Sequence, residues 1–160
     1  MADSLQLTKF LAADDSVNLL DLGSGGGFPA MPLAIARKGE LKATLVESNA
    51  RKASFLRTVA RELQLDVAVL AERSEAVNPQ SLGTIDIVTA RALADLDLLC
   101  ALAAPFFAPK TKALFLKGRE HVEEMRETRA RWDFDVLIHR SDTDAQGAIL
   151  ELSNLRLKNS

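Results

Sequence analysis

The chain has 160 residues, 48% of them hydrophobic and 26% charged, with a formal net charge of −2. That is the size and balance of one globular domain with its own core, and the slightly acidic total argues against a generic nucleic-acid binder while leaving room for a local basic face. One cysteine, Cys100, excludes an internal disulfide and a cysteine-based zinc cluster.

No apolar run approaches the roughly 18–20 residues that cross a bilayer. The opening Met1-Ala-Asp-Ser-Leu-Gln6 lacks the basic and apolar regions of a secretory signal, so a cytoplasmic location is expected. Residues 3–13, with Leu5, Leu7, Phe10 and Leu11 apolar, read as the end of a helix. Residues 17–22 read as a first buried strand, and residues 30–38 as a helix after a glycine turn. Residues 41–47 are a second strand. Residues 50–65 are a helix with Phe55, Leu56, Val59, Leu63 and Leu65 near one face, and residues 67–71 are a third strand. Asn78-Pro79 and Gly83 mark a loop. Then come a strand at 85–90, a helix at 93–104 ending ahead of Pro105, a strand at 111–117 and a polar helix over 118–131. Residues 134–140 and 148–157 alternate apolar and polar and read as a closing antiparallel pair. Strands alternating with helices predict βαβ units around a mostly parallel sheet. The predicted fold, over residues 1–160, is a Rossmann-like α/β domain of the class I S-adenosylmethionine (SAM)-dependent methyltransferase type. Its seven-stranded sheet is mostly parallel, with one reversed edge strand. Residues 1–13 are expected to be the remnant of a preceding helical element.

The stretch Asn18-Leu-Leu-Asp-Leu-Gly-Ser-Gly-Gly-Gly-Phe-Pro-Ala-Met-Pro32 joins a strand to a helix through bare backbone, an arrangement that serves nucleotide-like ligands. Its details separate the candidates. A dinucleotide fingerprint wants a small residue where Phe28 stands, and a phosphate-binding P-loop wants a Gly-Lys pair, whereas the first lysine after the turn is Lys38. Pro29 and Pro32 remove N–H groups from a helix start that would otherwise hold pyrophosphate. SAM carries no phosphate and fits better.

Ligands of such sheets bind at the carboxyl ends of the strands. Gly23 and Gly25 permit close backbone approach. Asp21 enters the turn and can either order it through backbone N–H groups or engage the cofactor amino group. Glu47, 24 residues after Gly23, matches the acid that accepts ribose hydroxyls. Ser74 and Glu75 follow the third strand, where a backbone N–H and a carboxylate can frame an adenine edge; Ser74 can equally cap a helix. Arg91, after Thr89-Ala, ends the fourth strand where the transferable methyl is expected, and is better explained by binding than by packing. Lys117 ends the fifth strand, as a contact for substrate phosphate or as a solvated lysine. Cys100 lies in an apolar helical stretch and reads as core. His121 and His139 have no metal-like spacing, so no metal is expected; both read as surface residues. Trp132 is expected to pack the last helix against the sheet. The Arg and Glu residues interleaved over 119–131 read as a solvated, ion-paired face.

Asp21-Leu-Gly-Ser-Gly-Gly-Gly-Phe-Pro-Ala-Met-Pro-Leu-Ala34 resembles the signature of the RsmG (GidB) family of 16S rRNA methyltransferases. Glu47-Ser with Arg51-Lys and Phe55-Leu, Ile87-Val-Thr-Ala-Arg-Ala92 and Leu116-Lys-Gly118 resemble its later motifs, and Asp3-Ser-Leu5 resembles the end of the element before the domain. The resemblance covers nearly the whole chain, without the largely helical segment that members usually carry ahead of Asp3 and with Ala30 where they usually have glycine. It implies SAM as cofactor, 16S rRNA or the 30S subunit as partner, and methyl transfer to N7 of a guanine. It lays cofactor contacts on Gly23, Phe28, Ser74, Glu75 and Arg91. Guanine N7 carries a lone pair and no proton, so attack on the methyl needs no general base. Catalysis is then mostly positioning, with Arg91 orienting cofactor and target loop and Lys117 holding RNA. A small-molecule methyltransferase, favoured by the acidic pI, and a non-catalytic SAM-binding module are the competing readings.

Overall fold

In the computed structural model residues 5–11, 16–91, 95–142 and 146–159 are described, Arg91 by its backbone alone. The strands are β1 (Val17–Leu22), β2 (Leu41–Val46), β3 (Val67–Leu70), β4 (Ile87–Arg91), β5 (Lys112–Lys117), β6 (Trp132–Arg140) and β7 (Ala148–Leu157). The helices are α1 (Ala30–Ala36), α2 (Ala50–Glu62), α3 (Leu96–Ala103) and α4 (His121–Thr128), with short 3-10 turns at Gln6–Phe10, Ser74–Ala76, Pro79–Leu82 and Ala104–Phe106. All seven strands form one sheet in the order β3-β2-β1-β4-β5-β7-β6. β1 to β5 are parallel, and β7, the one reversed strand, is inserted at that side between β5 and β6.

Because successive side chains of a strand point to opposite faces, neighbours in sequence divide between two cores. Leu19, Leu45, Ile87, Leu114 and Ile149 go to one cluster, closed by Leu33 of α1, by Ala53, Leu56 and Ala60 of α2, and by Leu7 and Leu11. Leu20, Val46, Val88, Phe115 and Leu150 go to the other, closed by Leu96, Leu99 and Cys100 of α3, Met125 of α4, and Trp132 and Phe134. Burial on both faces is why β1 and β4 read as mostly apolar, interrupted by Asn18, Asp21 and Thr89, rather than as alternating strands.

The expected elements are all present, with shifted ends. The N-terminal helix end is a 3-10 turn at Gln6–Phe10, and the rest of residues 3–13 outside 5–11 lies beyond the described residues. On α2 the buried line is Ala53, Leu56 and Ala60, and Phe55 and Leu63 are 56% and 44% exposed. The expected stripe was rotated because large apolar residues were counted and alanines were not; two alanines let α2 lie close to the sheet around Leu56. β6 begins at Trp132, two residues earlier than expected. Trp132 itself sits in the sheet and packs in the same cluster as Met125 of α4. Among the described residues no helix is long and apolar enough to cross a membrane, and no group of three or more His, Cys, Asp or Glu is placed to hold a metal ion.

Candidate functional site

With β2 on one side of β1 and β4 on the other, the strand order reverses beside β1, and a crevice at the carboxyl ends follows from the topology. The glycine turn occupies that place. Gly23 N–H and Ser24 N–H both donate to the Val46 carbonyl at 3.0 Å, which hangs the turn on the end of β2. Gly23, Gly25 and Gly27 have φ of 69°, 53° and 99°. The glycines serve different needs. A Cβ at Gly27 would stand 2.9 Å from Met31 Cγ and 3.0 Å from Leu56 Cδ2, so its bareness is what packing requires. A Cβ at Gly25 or Gly26 meets nothing within 4 Å, and Gly26 has no left-handed φ. Packing does not ask for glycine at either position, whereas a ligand lying on the backbone does.

Two carboxylates fix the turn. Glu47, just past β2, accepts Gly25 N–H on Oε1 at 2.8 Å and Asn49 N–H on Oε2 at 2.7 Å. A carboxylate offers about four lone-pair sites, so two acceptor sites remain for hydroxyl donors. Asp21 is buried, with Ser24 Oγ donating to Oδ2 at 2.6 Å and Thr89 Oγ1 donating to Oδ1 at 2.7 Å. Burial pushes its carboxyl up to about 7, against the pull of the Ser24 and Thr89 hydroxyls. Of the two roles expected for Asp21, the observed contacts are those of turn ordering, made through a side-chain hydroxyl instead of backbone N–H groups. Its second bond locks β1 to β4. Ser24, Thr89 and Asn49 were not singled out as site residues. The available signal was that a buried strand carboxylate must find donors, and Ser24 lies three residues on.

Phe28 leads into α1 through a cis peptide bond to Pro29 and is 37% exposed beside the turn. α1 starts at Ala30 with Pro29 as its N-cap, so both prolines stand where a phosphate would have sought N–H donors. Ser74 and Glu75 form a 3-10 turn beyond β3, joined to the site by Glu47 N–H donating to Leu70 O at 3.0 Å. Ser74 makes no cap; Arg73 holds that position. Arg91 ends β4 in register with Leu116, and its side chain lies outside the described residues.

Lys117 ends β5 as expected but does not offer its ammonium to solvent. Nζ is 2.9 Å from Glu124 Oε1, and the lysine side chain is only 8% exposed. In this arrangement its ammonium is held by a carboxylate of α4. Cys100 is buried and burial pushes its thiol up to about 12, helped by Asp97, which makes it an inert core residue. His121 bonds the Gly118 carbonyl, and half-buried His139 bonds Glu151 and packs on Phe10.

Solved structures share this fold. A SAM-dependent methyltransferase from Aquifex aeolicus superposes with a TM-score of 0.69 at 12% identity, over 94% of this chain and 88% of that one. P. horikoshii TYW2 in complex with MeSAdo superposes with a TM-score of 0.66 at 16% identity, over 99% and 62%. At such identities the likeness is one of fold. Sequence relatives are nearer. The ribosomal RNA small subunit methyltransferase G of Cereibacter sphaeroides is 46% identical over 156 residues, 96% of this chain and 74% of the relative. That of Rhizobium etli is 44% identical over 161 residues, 98% and 77%. The family model described as GidB, rRNA small subunit methyltransferase G, matches residues 1–151. With the glycine turn, Glu47 and the reversed seventh strand in place, the chain belongs to the GidB family of rRNA small subunit methyltransferases.

Proposed function

We propose that this chain transfers the methyl group of SAM to N7 of a guanine in 16S rRNA. The observation that carries the reading is the open glycine turn at Gly25 and Gly26 with the Glu47 carboxylate pinned beside it. Glu47 keeps acceptor sites for ribose hydroxyls, and the exposed Phe28 ring gives an apolar wall. Ser74 and Glu75, in the 3-10 turn beyond β3, frame the edge of the adenine in this reading. Gly23 and Gly25 let the backbone approach closely, and Asp21 holds their turn in shape. SAM, when bound, supplies a methyl on a sulfonium sulfur that leaves as a neutral thioether once N7 donates its lone pair to the methyl carbon.

Nothing has to remove a proton from N7, so this chain's residues serve to bind, orient and exclude water, which is the positioning term of catalysis. Arg91, at the end of β4, orients cofactor and target loop. A looped or otherwise unstacked guanine is the substrate this chemistry favours, because N7 of a paired guanine lies in the deep, narrow major groove of A-form RNA.

The test is transfer from radiolabelled SAM to 30S subunits, naked 16S rRNA and a small-metabolite fraction in parallel, followed by mapping of 7-methylguanosine. Label in 16S rRNA at a guanine N7 is expected. Label confined to metabolites, or SAM binding without transfer to rRNA, would overturn the proposal.

A further inference from the structure

Three segments meet at the carboxyl end of β5. Lys117 closes the strand and places Nζ 2.9 Å from Glu124 Oε1 on α4. The same Oε1 accepts the backbone N–H of Leu96, the first residue of α3, at 3.1 Å. The first N–H groups of a helix have no partner within it. Asp95 satisfies one, accepting Leu98 N–H at 3.0 Å. Glu124 satisfies another from a different helix, and a carboxylate is favourable at that end of the dipole. Side chains of the pair are 8% and 20% exposed, so the bond is shielded from solvent. The second tie between the two helical segments, Arg131 to Asp97 at 2.9 Å, is exposed at 61% and 35% and belongs to the class worth little.

The end of β4 adjoins the same corner. Arg91 is in register with Leu116, the residue before Lys117. Three residues separate Arg91 from Asp95, the N-cap of α3. The end of β4 and the start of α3 are therefore each tied to β5: the first directly through the β4–β5 ladder, the second through Lys117, Glu124 and Leu96.

We propose that Lys117 and Glu124 are positioning residues that act as one brace, setting where α3 begins relative to β4 and β5 and thereby holding the Thr89-Ala-Arg91 strand end in the geometry methyl transfer needs. This rests on the rRNA methyl transfer proposed above. It gives Lys117 a role opposite to that of a phosphate-binding lysine: it acts through a carboxylate, away from RNA.

The two roles separate in steady-state kinetics on 30S subunits with Lys117→Gln, Glu124→Gln and the double variant, beside SAM affinity by calorimetry. A brace predicts that each single change lowers kcat by about tenfold or more, as misplacement of a reacting geometry does. KM for RNA and Kd for SAM should stay within about twofold, since ground-state binding is untouched. The double variant should be no worse than the poorer single, because both remove one unit. Lys117→Arg, which keeps the ion pair, should recover most of the loss. Asp97→Asn, which cuts the exposed tie, should leave kcat unchanged.

A lysine that grips phosphate predicts otherwise: Lys117→Gln raises KM and flattens the salt dependence, and Glu124→Gln frees the lysine and costs nothing. That outcome overturns the brace, as does a loss of kcat in Asp97→Asn equal to that in Glu124→Gln. If the glutamine variants do not fold, Glu124→Asp takes their place. It keeps the charge but withdraws the oxygen from Leu96, and an unchanged kcat there also overturns the brace. Failure of the functional reading shows differently, as a parent protein that transfers no methyl to rRNA.

Discussion

Gly27→Ala and Gly26→Ala make adjacent, chemically identical changes with opposite expected consequences. At Gly27 the backbone has φ of 99°, outside even the small left-handed region open to other residues. Forcing an L side chain there costs about 1–2 kcal/mol. The added Cβ would also stand 2.9 Å from Met31 Cγ and 3.0 Å from Leu56 Cδ2, both on buried residues with little room to give, so the Met31 or Leu56 side chain must shift. Overpacking of that kind costs about 1–3 kcal/mol. Gly27→Ala should therefore lose roughly 2–5 kcal/mol, or about 4–20 °C in melting temperature at 2–4 °C per kcal/mol for this size. Gly26 has neither a left-handed φ nor a neighbour within 4 Å of its Cβ, so Gly26→Ala should match or slightly exceed the parent in stability. If the space above the turn belongs to the cofactor, the same methyl should weaken SAM binding. Differential scanning calorimetry with and without SAM reads both quantities. A Gly27→Ala protein melting with the parent would refute the packing argument, and a Gly26→Ala protein with parental SAM affinity would refute the assignment of that space.

Three further outcomes follow from the site. Asp21 has its folded-state carboxyl raised from 3.8 to about 7. Between those values the native state holds a proton that the unfolded state has released, so this group's contribution is full below about pH 4 and is lost as pH rises through about 7, at about 1.4 kcal/mol per pH unit. Asp21→Asn should gain stability relative to the parent across that window; urea unfolding at pH 5, 6, 7 and 8 checks it, and a constant difference would contradict the burial argument. Glu47→Gln replaces one acceptor oxygen by a donor facing Gly25 or Asn49 N–H, which should cost about 1–3 kcal/mol of stability and, if Glu47 holds ribose hydroxyls, at least about tenfold in SAM affinity. Cys100, with its thiol near 12, should resist iodoacetamide at pH 8 in the native protein and react only on unfolding; rapid native labelling would contradict its place in the core.

The succession of strands and helices, the glycine turn and the strand-end residues were legible because each leaves a local trace. β1 shows an apolar run, Gly23 to Gly27 show their turn, and Glu47 shows its spacing from Gly23. The partners of those residues were not legible, because they arise from register. Thr89 meets Asp21 only because β1 pairs with β4 in parallel with Asp21 opposite Thr89, and no spacing along the chain marks that. Lys117 is legible as the end of its strand, but its Glu124 partner is not, for the same reason: Glu124 and Leu96 belong to two helices whose contact is made in space. α2 failed differently. Its buried Ala53 and Ala60 carry too little hydrophobic weight to outvote Phe55 and Leu63, although small residues are what let a helix approach a sheet.

The same logic explains how two acids on adjacent strands come to differ in use. Asp21 lies inside β1, one residue short of its end, so its side chain points into the body of the sheet, where hydroxyls on the turn and on β4 claim both oxygens. Glu47 lies one residue past the end of β2 and among the described residues accepts backbone N–H groups, one on each oxygen. A two-residue difference in position relative to the strand end thus separates a carboxyl held by side-chain hydroxyls of the turn and of β4 from one held by backbone N–H groups of the turn and of the segment leading into α2. The strand-end rule for ligand sites follows from this. Within the sheet a polar side chain must find partners in the protein, and only beyond its edge can it keep capacity for a ligand.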